Sequence, residues 1–130
     1  MANRNFKNHI YSYQQDIVFA DGTFAVGAVG AVGATVGNMT VTRTGVGAYS
    51  VVIDDKFSRF IMGDFKVRNA TVSGVVAIEV TNDPSVAVLA GTAVTIQCYD
   101  KTGAAVDPAN GATVAAFFVL RNSSVKGKGE

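Results

Sequence analysis

At 130 residues, with 48% apolar and 16% charged side chains, the chain suits one domain whose core removes roughly two-thirds of the unfolded surface from water. Eleven basic and ten acidic side chains leave a formal charge of +1, which offers no footprint for nucleic acid and no polybasic patch for anionic lipid; protein partners, or none, remain. One cysteine, Cys98, rules out an internal disulfide framework, while abundant glycine, few prolines and no tryptophan favour strands and turns over helices.

Residues 1–16, MANRNFKNHIYSYQQD, mix charged and amide side chains ahead of any apolar run. They lack the apolar core of a secretion signal, so synthesis in the cytoplasm is expected. Residues 1–21 read either as an arm or as a first strand. Phe6, Ile10, Tyr11, Tyr13, Ile17, Val18 and Phe19 alternate there with amides, Lys7 and Asp16, a mixture suited to filling pockets on a partner.

Residues 22–37 form a Gly/Ala/Val-rich segment in which Gly27, Gly30 and Gly33 recur every third position. A collagen repeat fails because the period lapses at Val36 and no proline is present. A membrane span fails because residues 22–42, though uncharged, hold five glycines and four threonines. Disorder would leave Phe24 and several valines in water. Extended small-residue chain remains, lying where another backbone comes close, either in the same domain or in an identical subunit.

From Asn38 onward, short apolar runs alternate with turn signals, the pattern of an all-β antiparallel sandwich, here expected to be jelly-roll-like and to span residues 22–125. Met39, Val41 and Arg43 share one face of the first run; Tyr49, Val51 and Ile53 share one face of the next, with a hairpin across 44–47. Ile61, Phe65 and Val67 follow, with Gly63 expected at a bulge or a close approach. Val72, Val76, Ile78 and Val80 point one way before Asn82, Asp83 and Pro84 end the strand. Val94, Ile96 and Cys98 point inward, and a turn runs through 100–103. The run ATVAAFFVLR is apolar on both faces and is expected to be a central strand covered on each side. A single helical turn at 54–58 is the only helix expected, and residues 126–130 read as a flexible tail.

No constellation of catalytic type stands out. His9 lacks an orienting partner, Cys98 reads as a small buried hydrophobe, and the carboxylates Asp54, Asp55, Asp64, Glu79, Asp83, Asp100 and Asp107 read as turn formers with no calcium-loop spacing. The glycines precede no Lys-Ser/Thr pair and so make no phosphate cradle. A non-enzymatic protein without cofactor or metal is expected.

Two blocks carry a resemblance. Val41, Arg43, Thr44, Gly47, Tyr49, Val51, Asp54 and Phe57 form the first; Asp100, Thr102, Gly103, Ala104, Ala105, Phe117, Arg121, Asn122, Ser123, Ser124 and Val125 form the second. Across residues 37–125 this pattern resembles a group of small tailed-bacteriophage virion proteins, with Lys101 as a minor departure and a long unmatched middle. The resemblance implies a β-sandwich, often a homotrimer, mounted on the capsid exterior as a decoration (cement) protein that binds the major capsid protein lattice. Arg4, Phe6, Lys7, Tyr11, Tyr13, Phe24, Gly27, Gly30 and Gly33 are the residues expected at capsid or subunit contacts. A tail or head-fibre component and a small carbohydrate- or ligand-binding module are the alternatives, the latter weakened by the absence of tryptophan.

Overall fold

The computed structural model describes residues 17–54, 57, 59–68 and 74–121. The alternating runs become eight strands: β1 (Ile17–Val26), β2 (Val32–Gly37), β3 (Met39–Gly45), β4 (Ala48–Ile53), β5 (Arg59–Arg68), β6 (Ala77–Val80), β7 (Val94–Tyr99) and β8 (Thr113–Arg121). They form two sheets, β2-β1-β8-β5 and β3-β4-β7-β6, in which every pairing is antiparallel. The result is the expected all-β sandwich. First and last strands pair, as in a jelly roll, whereas the β1–β2 and β3–β4 hairpins each stay within one sheet.

Period-two patterning builds the core. Phe24, Phe65, Val114, Phe118 and Leu120 face inward from one sheet, and Tyr49, Val51, Val94, Ile96 and Cys98 face them from the other. Aromatic rings hold the centre: Phe24 meets Tyr49 at 5.1 Å between centroids, and Phe65 meets Phe118 edge-on at 5.5 Å. β8 is central, paired to β1 on one side and β5 on the other. Its outer face is not covered as expected, because Phe117 remains 46% exposed.

The glycine-rich segment supplies the end of β1, a 3-10 turn at Ala28–Gly30 and the whole of β2. The close neighbour its composition called for is its own hairpin. Gly22 pairs with Gly37 across it, where a Cβ on Gly22 would lie 2.8 Å from the Val36 carbonyl oxygen. β2 itself is an edge strand, exposed at all but its first residue.

Three expectations need correction. The chain forms a helix, α1 (Pro84–Ala90), where the sequence reading saw only a strand terminator; residues 55, 56 and 58 of the expected turn fall outside the described residues. Asp83 caps α1, its side chain accepting from the Ser85 N–H at 2.9 Å, Pro84 opens it, and Gly91 closes it at φ 74°. Ala87 and Val88 are its buried face, packed toward β5 and β7. In β5 the register shift falls between Phe60 and Met62, so Ile61 occupies the bulge, while Gly63 is the close approach that was the other expectation, since a Cβ there would lie 2.6 Å from the Phe118 ring and 3.2 Å from the Phe117 carbonyl oxygen. Ile61 is turned outward and 40% exposed, with Phe60 taking its place against the core. Of Val72, Val76, Ile78 and Val80, expected on one face, Ile78 packs against the core while Val76, ahead of β6, and Val80 are exposed, and Val72 lies outside the described residues.

Candidate functional site

Polar groups converge at one end of the sandwich. Arg43 follows Met39 and Val41 on the inner face of β3, yet its head is not left unpaired. Its Nε donates to Asp107 Oδ1 at 3.1 Å and its Nη2 to Oδ2 at 2.8 Å, a two-point fork on a carboxylate in the β7–β8 connection. The Gly47 N–H, in the β3–β4 turn, donates to the same Oδ1 at 2.6 Å. Across this pair lies the β1–β2 turn, where the Tyr49 hydroxyl donates to the Gly30 carbonyl at 2.8 Å. Gly30 adopts φ 76°, and a Cβ there would run into the Asp107 carboxyl and approach Arg43 Nε to 2.8 Å. Three loops are thus tied through one carboxylate and one tyrosine.

The electrostatics follow from these contacts. Burial alone would raise the Asp107 carboxyl, but the hydrogen bonds from Arg43 and Gly47 and the Arg43 charge outweigh it and hold it below the usual carboxylate range. Arg43 in turn grips its proton more tightly, chiefly through its hydrogen bond to Asp107. Burial, then the nearby Asp107 charge, pushes the Tyr49 hydroxyl up to about 12 and the Cys98 thiol up to about 11. Both stay protonated at neutral pH, so Cys98 presents a thiol and not the nucleophilic thiolate. The cluster's groups are spent on one another, and their work is to fasten the loops.

A different arrangement covers the outer face of the β2-β1-β8-β5 sheet. Cross-strand register sorts its side chains into rows. Ile17, Arg121 and Arg59 form the first row; Phe19, Val119 and Met62 form the second; Asp21, Phe117 and Asp64 form the third. Val36, Thr23, Ala115 and Lys66 follow. The middle is apolar and open to solvent, with Phe19 67%, Met62 57% and Phe117 46% exposed. Phe19 and Phe117 stack at 5.7 Å and 19° between planes. Among the described residues none of Arg59, Arg121, Asp21 and Asp64 takes part in a salt bridge, the Arg43–Asp107 pair being the one formed.

The residues expected at contacts separate widely. Phe24 is fully buried against Tyr49, so it belongs to the core and is closed to a partner. Gly30 is buried beneath the Asp107 carboxyl; Gly27 is half-buried beside the turn, and Gly33 is exposed on β2. Arg4, Phe6, Lys7, Tyr11 and Tyr13 lie outside the described residues. Residues 17–21, the end of the segment expected as arm or first strand, run in the first strand, β1.

The sequence reading missed both Asp107 as a partner and the outer strip. An arginine in phase with inward-facing Met39 and Val41 was the available signal, because a charge on a core-facing position requires a counter-charge. The strip was hidden because Phe19 read equally as arm or first strand and because β8 was expected to be covered on both faces. The first block of the resemblance gains a physical meaning here: Arg43, Gly47 and Tyr49 are the tie residues of the end cluster. Asp100, Thr102 and Gly103 of the second block form a turn in which Asp100 Oδ1 accepts from the Thr102 hydroxyl at 2.7 Å and the Thr102 N–H at 2.8 Å. Among the described residues there is no group of three side chains able to hold a metal ion and no helix long and apolar enough to cross a membrane. No family model matches the chain, nor does any curated protein or solved structure.

Proposed function

We propose that this chain is a non-enzymatic structural protein of a bacteriophage virion, a decoration protein that binds the major capsid protein lattice from the capsid exterior. The observation that carries the reading is the strip of exposed Phe19, Met62 and Phe117 around half-buried Val119, across three strands of one sheet. Contiguous large apolar side chains on the open face of a small domain mark a protein–protein surface, and a protein that stabilises a lattice acts through such surfaces and through multivalent attachment. The resemblance over residues 37–125 supports the choice of the virion. Among its quoted residues, Arg43, Gly47, Tyr49, Asp100 and Thr102 fasten loops and turns, as suits a scaffold protein.

Antibody labelling of purified virions, imaged by electron microscopy, tests the proposal. Label distributed over capsids is the expected result. Label confined to tail tips replaces this reading with a fibre component, and unlabelled virions overturn any structural role in the particle.

A further inference from the structure

We propose that the outer face of the β2-β1-β8-β5 sheet is a self-association surface whose partner is a second copy of this chain, packed face to face about a two-fold axis running along the Phe19–Val119–Met62 row. This deepens the reading of the strip as a protein–protein surface and rests on it; the strip is then occupied by the second copy, and attachment to a lattice falls to the other surfaces of a two-fold, hence bivalent, dimer.

The arrangement of charge selects the partner. Residues two apart on a strand are about 7 Å apart, so the basic row (Arg121, Arg59) and the row carrying Asp21 and Asp64 are separated by about 14 Å, with the apolar row midway. That distance is too long for the charges to pair within one chain, and no salt bridge joins them among the described residues. A two-fold axis along the apolar row turns the strand direction over while keeping strand order. β5 then lies over the partner's β5 and β8 over the partner's β8, at the aligned angle that twisted sheets adopt. Arg59 meets the partner's Asp64, and Arg121 meets the partner's Phe117 between its two aspartates. Each such contact occurs twice, as an isologous interface requires.

The other face-to-face two-fold, with its axis parallel to the strands, fails on the same map. It lays each row on the same row of the partner, so the row of Arg59 and Arg121 lies on the partner's basic row and the row of Asp21 and Asp64 on its acidic row. A homotrimer needs this face to meet a different patch on its neighbour, and that would leave the self-complementary charge order unused. Stacked Phe19 and Phe117 and the unbranched Met62 supply the buried centre, with charges at the rim, the usual anatomy of a protein interface.

Sedimentation velocity of the full chain over a range of concentrations reads the stoichiometry. The expected species is a dimer that weakens with added salt. Arg59→Asp and Asp64→Arg each place like charges together and are expected to weaken dimerisation at least tenfold. An equimolar mixture of the two variants restores it, because each chain then offers the charge the other lacks at both copies of the contact. Circular dichroism confirms that the variants fold. Met62→Cys provides a second reading, since the axis brings this residue against its own copy; oxidation gives a covalent dimer on a non-reducing gel, with Cys98 buried and out of reach. A monomer at all concentrations, a trimer, undiminished association in both charge variants, or no rescue on mixing overturns the inference. These results leave the virion-labelling experiment independent, so failure of the face and failure of the capsid reading are told apart.

Discussion

Two sets of opposite charges in this sandwich have opposite fates. At one end of the sandwich, Arg43 and Asp107 close on each other through two hydrogen bonds and recruit the Gly47 N–H. On the outer sheet face, Arg59 and Arg121 stand two rows away from Asp21 and Asp64 and form no salt bridge among the described residues, Asp64 accepting only the neighbouring Phe65 N–H at 2.9 Å. Residue type does not distinguish the two sets; geometry does. Where three loops meet, a carboxylate can be surrounded by donors, and the charges become part of the fold. Where a pleated face holds side chains in fixed register, the same charges are kept apart and remain open to another molecule.

The largest expected effect strikes the tied end. Gly30→Ala forces a side chain into a backbone with φ 76° and drives its Cβ into the Asp107 carboxyl. Asp107 can withdraw only by releasing Arg43 and Gly47. The expected loss is about 3 kcal/mol, or roughly 10 °C in thermal unfolding followed by circular dichroism. An unchanged melting temperature would show that the turn is less firmly fastened than its contacts indicate.

Asp107→Asn is the intermediate case. It removes the ion pair while leaving one acceptor for Arg43, at an expected cost of about 1–2 kcal/mol at neutral pH. The sign of the pH dependence follows from the lowered Asp107 carboxyl. Its contribution is fully present above the ordinary carboxylate pKa of the unfolded chain and is lost as pH falls through that value toward the lower folded-state one. Urea unfolding at neutral pH and at about pH 3 should therefore show a smaller acid loss in the variant than in the parent. Asp100, whose carboxyl is lowered chiefly by the Thr102 hydroxyl and then by the Ala104 N–H, supplies the acid sensitivity that survives in the variant. An identical acid loss in both chains would remove Asp107 from the account.

The smallest effect belongs to the outer face. Asp64→Asn or Arg121→Gln is expected to change stability by less than about 0.5 kcal/mol in urea unfolding at concentrations too low for association. A larger loss would mean that these charges serve the fold after all, and the contrast with the tied end would dissolve.

Much of the sandwich was legible from period-two patterning because one face of most strands is buried and the other is not. Tyr49, Val51 and Ile53, like Val94, Ile96 and Cys98, lie inward as their spacing required. Failures came where a single residue altered the phase or where a signal had two meanings. The bulge at Ile61 turned that side chain outward without any marker in the sequence, since the glycine two places away marks the close approach of β8 and not the bulge. Asp83 and Pro84 end a strand and also begin a helix, and seven residues are too few for a 3.6-residue period to declare itself. The Arg43–Asp107 tie joins positions 64 residues apart, beyond what local patterning can reveal, although an inward-phased arginine announced that some partner had to exist. Outer-face rows depend on cross-strand register, which spacing along one strand does not contain.

β2 carries one more consequence. VGATVG is a six-residue edge strand without a charge or a proline, and such edges ordinarily defend themselves with one or the other. Its brevity and the Gly37 break at φ 107° leave little length for an incoming strand to match. Protection of this kind is kinetic and local, strongest in the finished hairpin and weakest while β1 and β2 are still finding each other. Crowded nascent chains would be at risk of exchanging hairpins, which makes prompt closure of the turn at Gly30 a safeguard against fibres as much as a contribution to the native fold.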